Sequence, residues 1–225
     1  MLAPGGRVVV SVYSSDAIGR LVPEDVIGLI RYLHEHAAWT TLPLVVCLAI
    51  TRKPGEIAVL VAFDMFGTLA DTISVAHELA PSCGDMAGRV ARTWRDKQLE
   101  YMFRVTAMGQ FPPFADLTRW SLARALAESG ITLAPAQQDV MAGAYRRLRP
   151  FDDARPALAA LRERGHSIVV FSVGPRAWLE ELAASYRDFV DNFVSAEDAG
   201  VYKPHPGIYR HLLAQATTAS AATSR

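Results

Sequence analysis

The apolar run at residues 57–63, IAVLVAF, stops abruptly at Asp64, and Gly67 and Thr68 follow before the chain turns helical. An unbroken apolar run of this length predicts a strand buried on both faces, as in the sheets of α/β proteins. A carboxylate at the carboxyl end of such a strand, with a tight turn behind it, is how an α/β fold presents a nucleophile in its ligand crevice. Taken alone, Asp64 reads equally well as a helix N-cap, where Asp is favoured. The residue two places on is Phe66, not a second carboxylate. That position separates two chemistries.

Strand and helix patterns alternate at both ends of the chain. Residues 7–13 (RVVVSVY) and 42–50 (LPLVVCLAI) are strand candidates. Between them, residues 23–36 place Val26, Ile27, Ile30 and Leu33 on one helical face behind Pro23. Residues 52–56 (RKPGE) read as a turn or linker. From about residue 72 to 150 only helices are expected: 85–108, 117–129 and 135–148, with QFPPF at 110–114 as a breaker. Residues 151–156 return to an alternating pattern. A helix at 157–164 ends at Gly165, and the strand SIVVF at 167–171 ends at Ser172. A helix at 176–186, a short strand at 190–195, the loop YKPHPGIY and a last helix follow. The tail, residues 217–225, is small and polar and is expected to fray.

These patterns predict an α/β fold: a doubly wound, parallel-sheet, Rossmann-like core with an inserted helical cap. The core falls in two pieces, 57–71 and 153–215, around a cap at 72–152. Residues 1–56 form a strand–helix–strand segment of unclear role, and 216–225 a disordered tail.

Charge narrows the function classes. Lys plus Arg equals Asp plus Glu, 23 each, so no electrostatic footprint for nucleic acid or an anionic membrane exists. Arg146, Arg147 and Arg149 read as the solvated end of a helix. Cys47 and Cys83 form no CxxC pair and read as reduced thiols. The start lacks a charged n-region before a long apolar stretch, and residues 42–50 are too short to span a bilayer, so a cytoplasmic location is expected. His205 has no partner at metal-ligand spacing.

Further polar groups end strands or loops near Asp64. Thr68 lies one turn beyond it, Ser172 ends SIVVF, and Lys203 sits in VYKPHP. A carboxylate, hydroxyls and an ammonium at these edges converge on one crevice.

With these pieces in order, residues 57–215 resemble the haloacid dehalogenase superfamily, and within it the type II L-2-haloacid dehalogenases. The motifs are FDMFGTL, WRDKQLEY at 94–101 followed by MGQFPPF, FSVG at 171–174, and VYKPHPGIY at 201–209. Phosphatases of the superfamily use an acid two residues after the nucleophile. Phe66 supplies neither a proton nor a Mg²⁺ ligand, whereas halide leaves without help from an acid.

The resemblance implies metal-independent, cofactor-free hydrolysis of short L-2-haloacids to 2-hydroxy acids through a covalent ester on Asp64. It gives Lys203 the task of keeping Asp64 ionised, Thr68 that of orienting it, and Arg95 that of receiving halide. Ser172 and nearby backbone amides would bind the substrate carboxylate. Phe66, Leu99 and Phe114 would wall the site, and Tyr209 would support Lys203. The implied partner is the small 2-haloacid; a homodimer is left open by the sequence, as one outcome of an open sheet edge. Each residue also has an ordinary structural reading: Arg95 as a surface helix residue, Leu99 and Phe114 as cap core, Lys203 as an exposed loop lysine, Ser172 as a helix cap.

The chain departs from the family pattern in three places. Val173 stands where asparagine is usual. Asp96 stands beside Arg95 where glutamine is common, and is expected to tie up the guanidinium. After the lysine loop, the family continues with a helix, a strand and an acidic motif, where this chain has TTASAATSR. Residues 1–56 offer two strands for those sheet positions, one of them ending in Ser14, Ser15 and Asp16; otherwise an open sheet edge is left near Lys203. Two alternatives to the dehalogenase are weighed: a remnant of the fold that binds small carboxylates without turnover, and a Mg²⁺-dependent phosphatase, which Phe66 disfavours.

Overall fold

The computed structural model describes residues 9–11, 45–53 and 56–222, with side chains over 60–215. The helix expected at 23–36, and Asp16, lie outside the described residues. Three N-terminal strands come first: β1 (Val9–Ser11), β2 (Val45–Lys53) and β3 (Glu56–Phe63). A two-residue strand, β4 (Ala70–Asp71), leads into helices α1 (Ala76–Cys83), α2 (Ala87–Ala107), α3 (Phe114–Glu128) and α4 (Pro135–Ala142). A second two-residue strand, β5 (Arg149–Pro150), closes this helical block. Then follow α5 (Ala154–Glu163), β6 (Ser167–Ser172), α6 (Arg176–Leu182), β7 (Asn192–Ser195), α7 (Ala196–Ala199) and α8 (Pro206–Ala222).

The five-stranded sheet has the order β1-β2-β3-β6-β7. The pairs β3–β6 and β6–β7 are parallel, as the alternating strands and helices predict. Burial follows: Val61, Ala62 and Phe63 of β3 and Ile168, Val169, Val170 and Phe171 of β6 are consecutive and all buried. The N-terminal strands differ from the all-parallel expectation, since β2 runs antiparallel to β3 and β1 antiparallel to β2. The turn expected at 52–56 is shorter than read, because β2 extends to Lys53 and β3 begins at Glu56. So short a connection joins only antiparallel neighbours; a parallel return needs a crossover of about a dozen residues.

Between β3 and β6, the entry and exit of the helical block are tied together. β4 pairs with β5, and Phe151 N donates to Leu69 O at 3.1 Å. In place of the alternating pattern expected at 151–156, α5 begins at Ala154 and buries Ala154, Leu158 and Leu161. Its end is as expected from Gly165, whose φ of +78° permits His166 N to bond back to Leu161 O at 3.1 Å. The last helix continues through Ala222, past the expected fraying point.

Inside the block, α2 and α3 pack around Trp94, which is fully buried and donates its indole N–H to Thr118 O at 2.8 Å. The exposed arginines at the end of the block are ion-paired: Arg146 with Glu181 of α6, and Arg147 with Glu78 of α1. Among the described residues, no helix is long and apolar enough to cross a membrane.

Candidate active site

Asp64 and Ser172 meet because β3 and β6 are adjacent, parallel and in register, with Phe63 beside Val170. Both side chains therefore emerge at the carboxyl edge of the sheet. Gly67, at φ +88°, lets the chain fold back after Asp64, and Met65 O accepts from the amides of Leu69 and Ala70 at 3.0 and 2.9 Å. Asp64 Oδ1 accepts from Met65 N at 2.8 Å and from Ser172 Oγ at 2.7 Å. Ser172 is thus the hydroxyl that fixes the carboxylate. Thr68, expected in that role, is buried one turn further along.

Lys203 is no exposed loop lysine; only 4% of it is accessible. Its Nζ lies 3.5 Å from Asp64 Oδ1 and donates to Phe171 O at 2.6 Å. The ammonium also stands 4.1 Å above the Phe171 ring. Tyr209 packs edge-on against that ring at 5.6 Å. The Lys203–Pro204 peptide is cis. The preceding Tyr202 anchors the loop to the QFPPF segment, donating its hydroxyl to Pro112 O at 2.7 Å. Burial pushes the Lys203 ammonium below the ordinary lysine range; Asp64 opposes that fall, and Arg95 adds to it.

Arg95 projects from α2 toward the turn after Asp64. Its Nη2 donates to Phe66 O at 2.9 Å and its Nη1 to Gln98 Oε1 at 2.8 Å. Gln98 is itself buried and donates through Nε2 to Thr118 Oγ1 at 3.0 Å, which donates to Phe114 O at 2.8 Å. Asp96 does not tie up the guanidinium, contrary to expectation, and is exposed. Successive helix residues point about 100° apart, so neighbours in sequence do not face each other, whereas residues three apart do. Gln98 was the residue missed, and its spacing from Arg95 is the signal that finds it.

An aromatic wall completes the crevice. Phe66 stacks on Phe114 at 5.2 Å and lies 5.8 Å from Tyr145, while Phe114 meets Trp178 edge-on at 5.8 Å. Leu99 packs against this core half-buried, and Val173 is buried beside Ser172. Gly174 is required by the wall, since a Cβ there would lie 2.6 Å from the Phe66 ring. That ring is held by Phe114 and Tyr145 and has little room to yield. Gly174→Ala is expected to destabilise the protein by about 1–3 kcal/mol, measured as a lowered midpoint in urea unfolding.

One carboxylate and two cations share this water-poor edge, so the site suits an anionic substrate. Among the described residues, no three His, Cys, Asp or Glu side chains cluster to hold a metal ion. The His205 imidazole accepts the Gly207 amide at 3.0 Å. Cys83 is a free, buried thiol.

The family model for haloacid dehalogenase-like hydrolases matches residues 59–220. The chain belongs to this family. Among similar haloacid dehalogenase-like proteins, (S)-2-haloacid dehalogenase 4A of Burkholderia cepacia is 35% identical over 150 residues, covering 66% of this chain and 65% of that protein. Haloacetate dehalogenase H-2 of Moraxella sp. (strain B) is 30% identical over 151 residues, 66% of this chain and 67% of that protein. The L-2-haloacid dehalogenase of Xanthobacter autotrophicus, solved with chloropropionic acid covalently bound, superposes with a TM-score of 0.63 at 32% identity, covering 68% of this chain and 62% of that one. The present chain therefore spans slightly under two-thirds of the Burkholderia and Xanthobacter proteins.

Proposed function

We propose that this haloacid dehalogenase-like hydrolase removes halide from short L-2-haloacids by way of an Asp64 ester, without a metal ion. The observation that carries the proposal is the buried Asp64–Lys203 pair at 3.5 Å, with Ser172 on the same oxygen.

Oδ1 of Asp64 holds the hydrogen bonds from Met65 and Ser172, which leaves Oδ2 to attack. A bond forms from Oδ2 to C2 of the haloacid as the C2–halogen bond breaks, with inversion, and the halide departs with the electron pair. Water then adds to the Asp64 carbonyl carbon and the Cγ–Oδ2 bond breaks; one water proton passes to the departing oxygen, giving the 2-hydroxy acid, and the other to solvent, leaving Asp64 as the carboxylate. In that second step Oδ1 becomes an oxyanion. The Met65 amide and Ser172 hydroxyl already point at it, and Lys203 supplies the charge.

The remaining residues take supporting parts. Arg95 receives the halide; Phe66, Leu99 and Phe114 keep water from the reacting carbon. Amides near Ser172 hold the substrate carboxylate, with Val173 contributing only apolar surface there. Thr68 stiffens the turn behind Asp64, and Tyr209 steadies Lys203 through Phe171. Gln98 positions Arg95, so Gln98→Leu is expected to lower turnover by up to about 10²-fold, read from initial rates of halide release.

Incubation with L-2-chloropropionate in the presence of EDTA is expected to release chloride, and acid-quenched enzyme to carry the propionate adduct on Asp64 by mass spectrometry. Val173 favours a second reading, in which small carboxylates bind without turnover. No chloride, together with a rise in Tm on adding 2-chloropropionate, would establish that reading instead. EDTA-sensitive hydrolysis of a phosphate ester would point to the phosphatase.

A further inference from the structure

Tyr145 is fully buried, and its hydroxyl donates to no acceptor among the described residues. It lies in the helical turn Gly143–Arg147 that follows α4. Its ring packs 4.6 Å from Trp94 and 5.8 Å from Phe66. Trp94 precedes Arg95 in α2, and Phe66 O accepts from Arg95 Nη2 at 2.9 Å. Tyr145 thus touches both residues that place the guanidinium. Burial pushes its phenol up to about 12, and the charge of neighbouring Arg95, together with a hydrogen bond from that guanidinium to the phenol oxygen, opposes the rise. At neutral pH it is therefore an O–H donor without an acceptor.

Such a donor lowers stability, since a buried O–H without an acceptor forfeits the hydrogen bond it donated in water. Packing alone does not call for it, because phenylalanine would fill the same space among these aromatic rings. A fixed O–H beside a guanidinium, in an apolar aromatic wall, matches a small anion with no directional demands of its own.

We infer that the Tyr145 hydroxyl and the Arg95 guanidinium are the two donors of one halide site, in which Tyr145 hydrogen-bonds the departing halide. This deepens the dehalogenase reading above and rests on it for the origin of the halide. As Oδ2 of Asp64 bonds to C2, the electron pair of the C2–halogen bond leaves with the halogen. Tyr145 shares its proton in a hydrogen bond and keeps it; Arg95 supplies the positive charge. The benefit is greatest for a small, charge-dense halide and least for iodide.

Tyr145→Phe in the full-length chain tests this. Its kcat/KM is expected to fall about tenfold or more with L-2-chloropropionate and less than about threefold with the iodo analogue, the span of a charged hydrogen bond gained or lost. Its Tm is expected to rise by about 2–4 °C, since a buried O–H without an acceptor has gone. Chloride-35 line broadening by the wild-type protein, which requires no turnover, is expected to weaken severalfold in the variant. Equal losses for both halogens with unchanged broadening, or a lowered Tm, would assign Tyr145 to packing and leave the dehalogenase reading intact. Wild-type protein that releases no halide, yet loses its chloride broadening in Tyr145→Phe, would overturn the dehalogenase reading and keep the anion site.

Discussion

Asp64→Asn should abolish halide release, lowering turnover by at least about 10⁴-fold, while the protein remains folded. The amide oxygen retains the shape of Oδ1 and accepts from Met65 N and Ser172 Oγ as the carboxylate does. The nucleophilic electron pair on the second oxygen is gone, and among the described residues Asp64 is the one buried carboxylate. Lys203 loses its counter-charge but keeps the Phe171 carbonyl and ring. The stability lost is therefore expected to be no more than about 3 kcal/mol, at the low end for a broken buried pair. Halide release followed with a chloride electrode, alongside urea unfolding of both proteins, separates the two effects. A variant that folds and still releases chloride from L-2-chloropropionate would remove Asp64 from the chemistry.

Lys203→Met should lower turnover by about 10²–10³-fold, the usual loss when one charged donor to a developing oxyanion is removed. Methionine keeps the apolar stem and its contact with the Phe171 ring, so packing is largely preserved. The wild-type pH dependence has a definite sign. Burial depresses the folded-state pKa of Lys203 below that of the unfolded chain, with Asp64 opposing and Arg95 reinforcing the fall. Below the folded pKa both states carry the proton, and the penalty of a buried ammonium is present in full. Between the folded and unfolded values the unfolded chain binds more protons, so this group makes stability rise with pH across that window. Activity runs the other way, because the ammonium disappears over the same range. The wild-type rate should fall on a basic limb that begins below the ordinary lysine range, while this contribution to Tm rises. Both features should be missing from Lys203→Met. Rate and melting profiles from neutral pH to about pH 11 would show it, and an unchanged basic limb in the variant would assign that titration to another group.

Much of the site was legible because it depends on local pattern plus one simple rule of topology. The apolar runs of β3 and β6 mark central strands, and adjacent parallel strands bring their carboxyl ends together. Asp64 and Ser172 were therefore placed on one edge from sequence alone, and the coordinates add a 2.7 Å hydrogen bond between them. Lys203 was legible as a loop residue near that edge. Its burial was not, since it depends on Phe171 and on Tyr202 docking against Pro112, 90 residues away in sequence. Strand direction at the N-terminal side was equally hidden. An apolar run such as LPLVVCLAI specifies a strand without specifying which way it runs, and the short link to β3 made it antiparallel.

The sequence by itself determined the strand-end carboxylate, the glycine that lets the chain turn behind it, the absence of an acid at Phe66 and the helical insertion. Each of these is written in neighbouring residues and in the spacing of apolar positions. Only the tertiary structure decided what Arg95 and its helical neighbour Gln98 reach across the packing: the Phe66 carbonyl for Arg95 and Thr118 for Gln98, with the buried Tyr145 hydroxyl alongside. Those contacts join a helix to a turn and to a second helix 20 or more residues away, as in Arg95–Phe66 and Gln98–Thr118. Side-chain direction across such distances is fixed by how the elements pack, which no local period encodes.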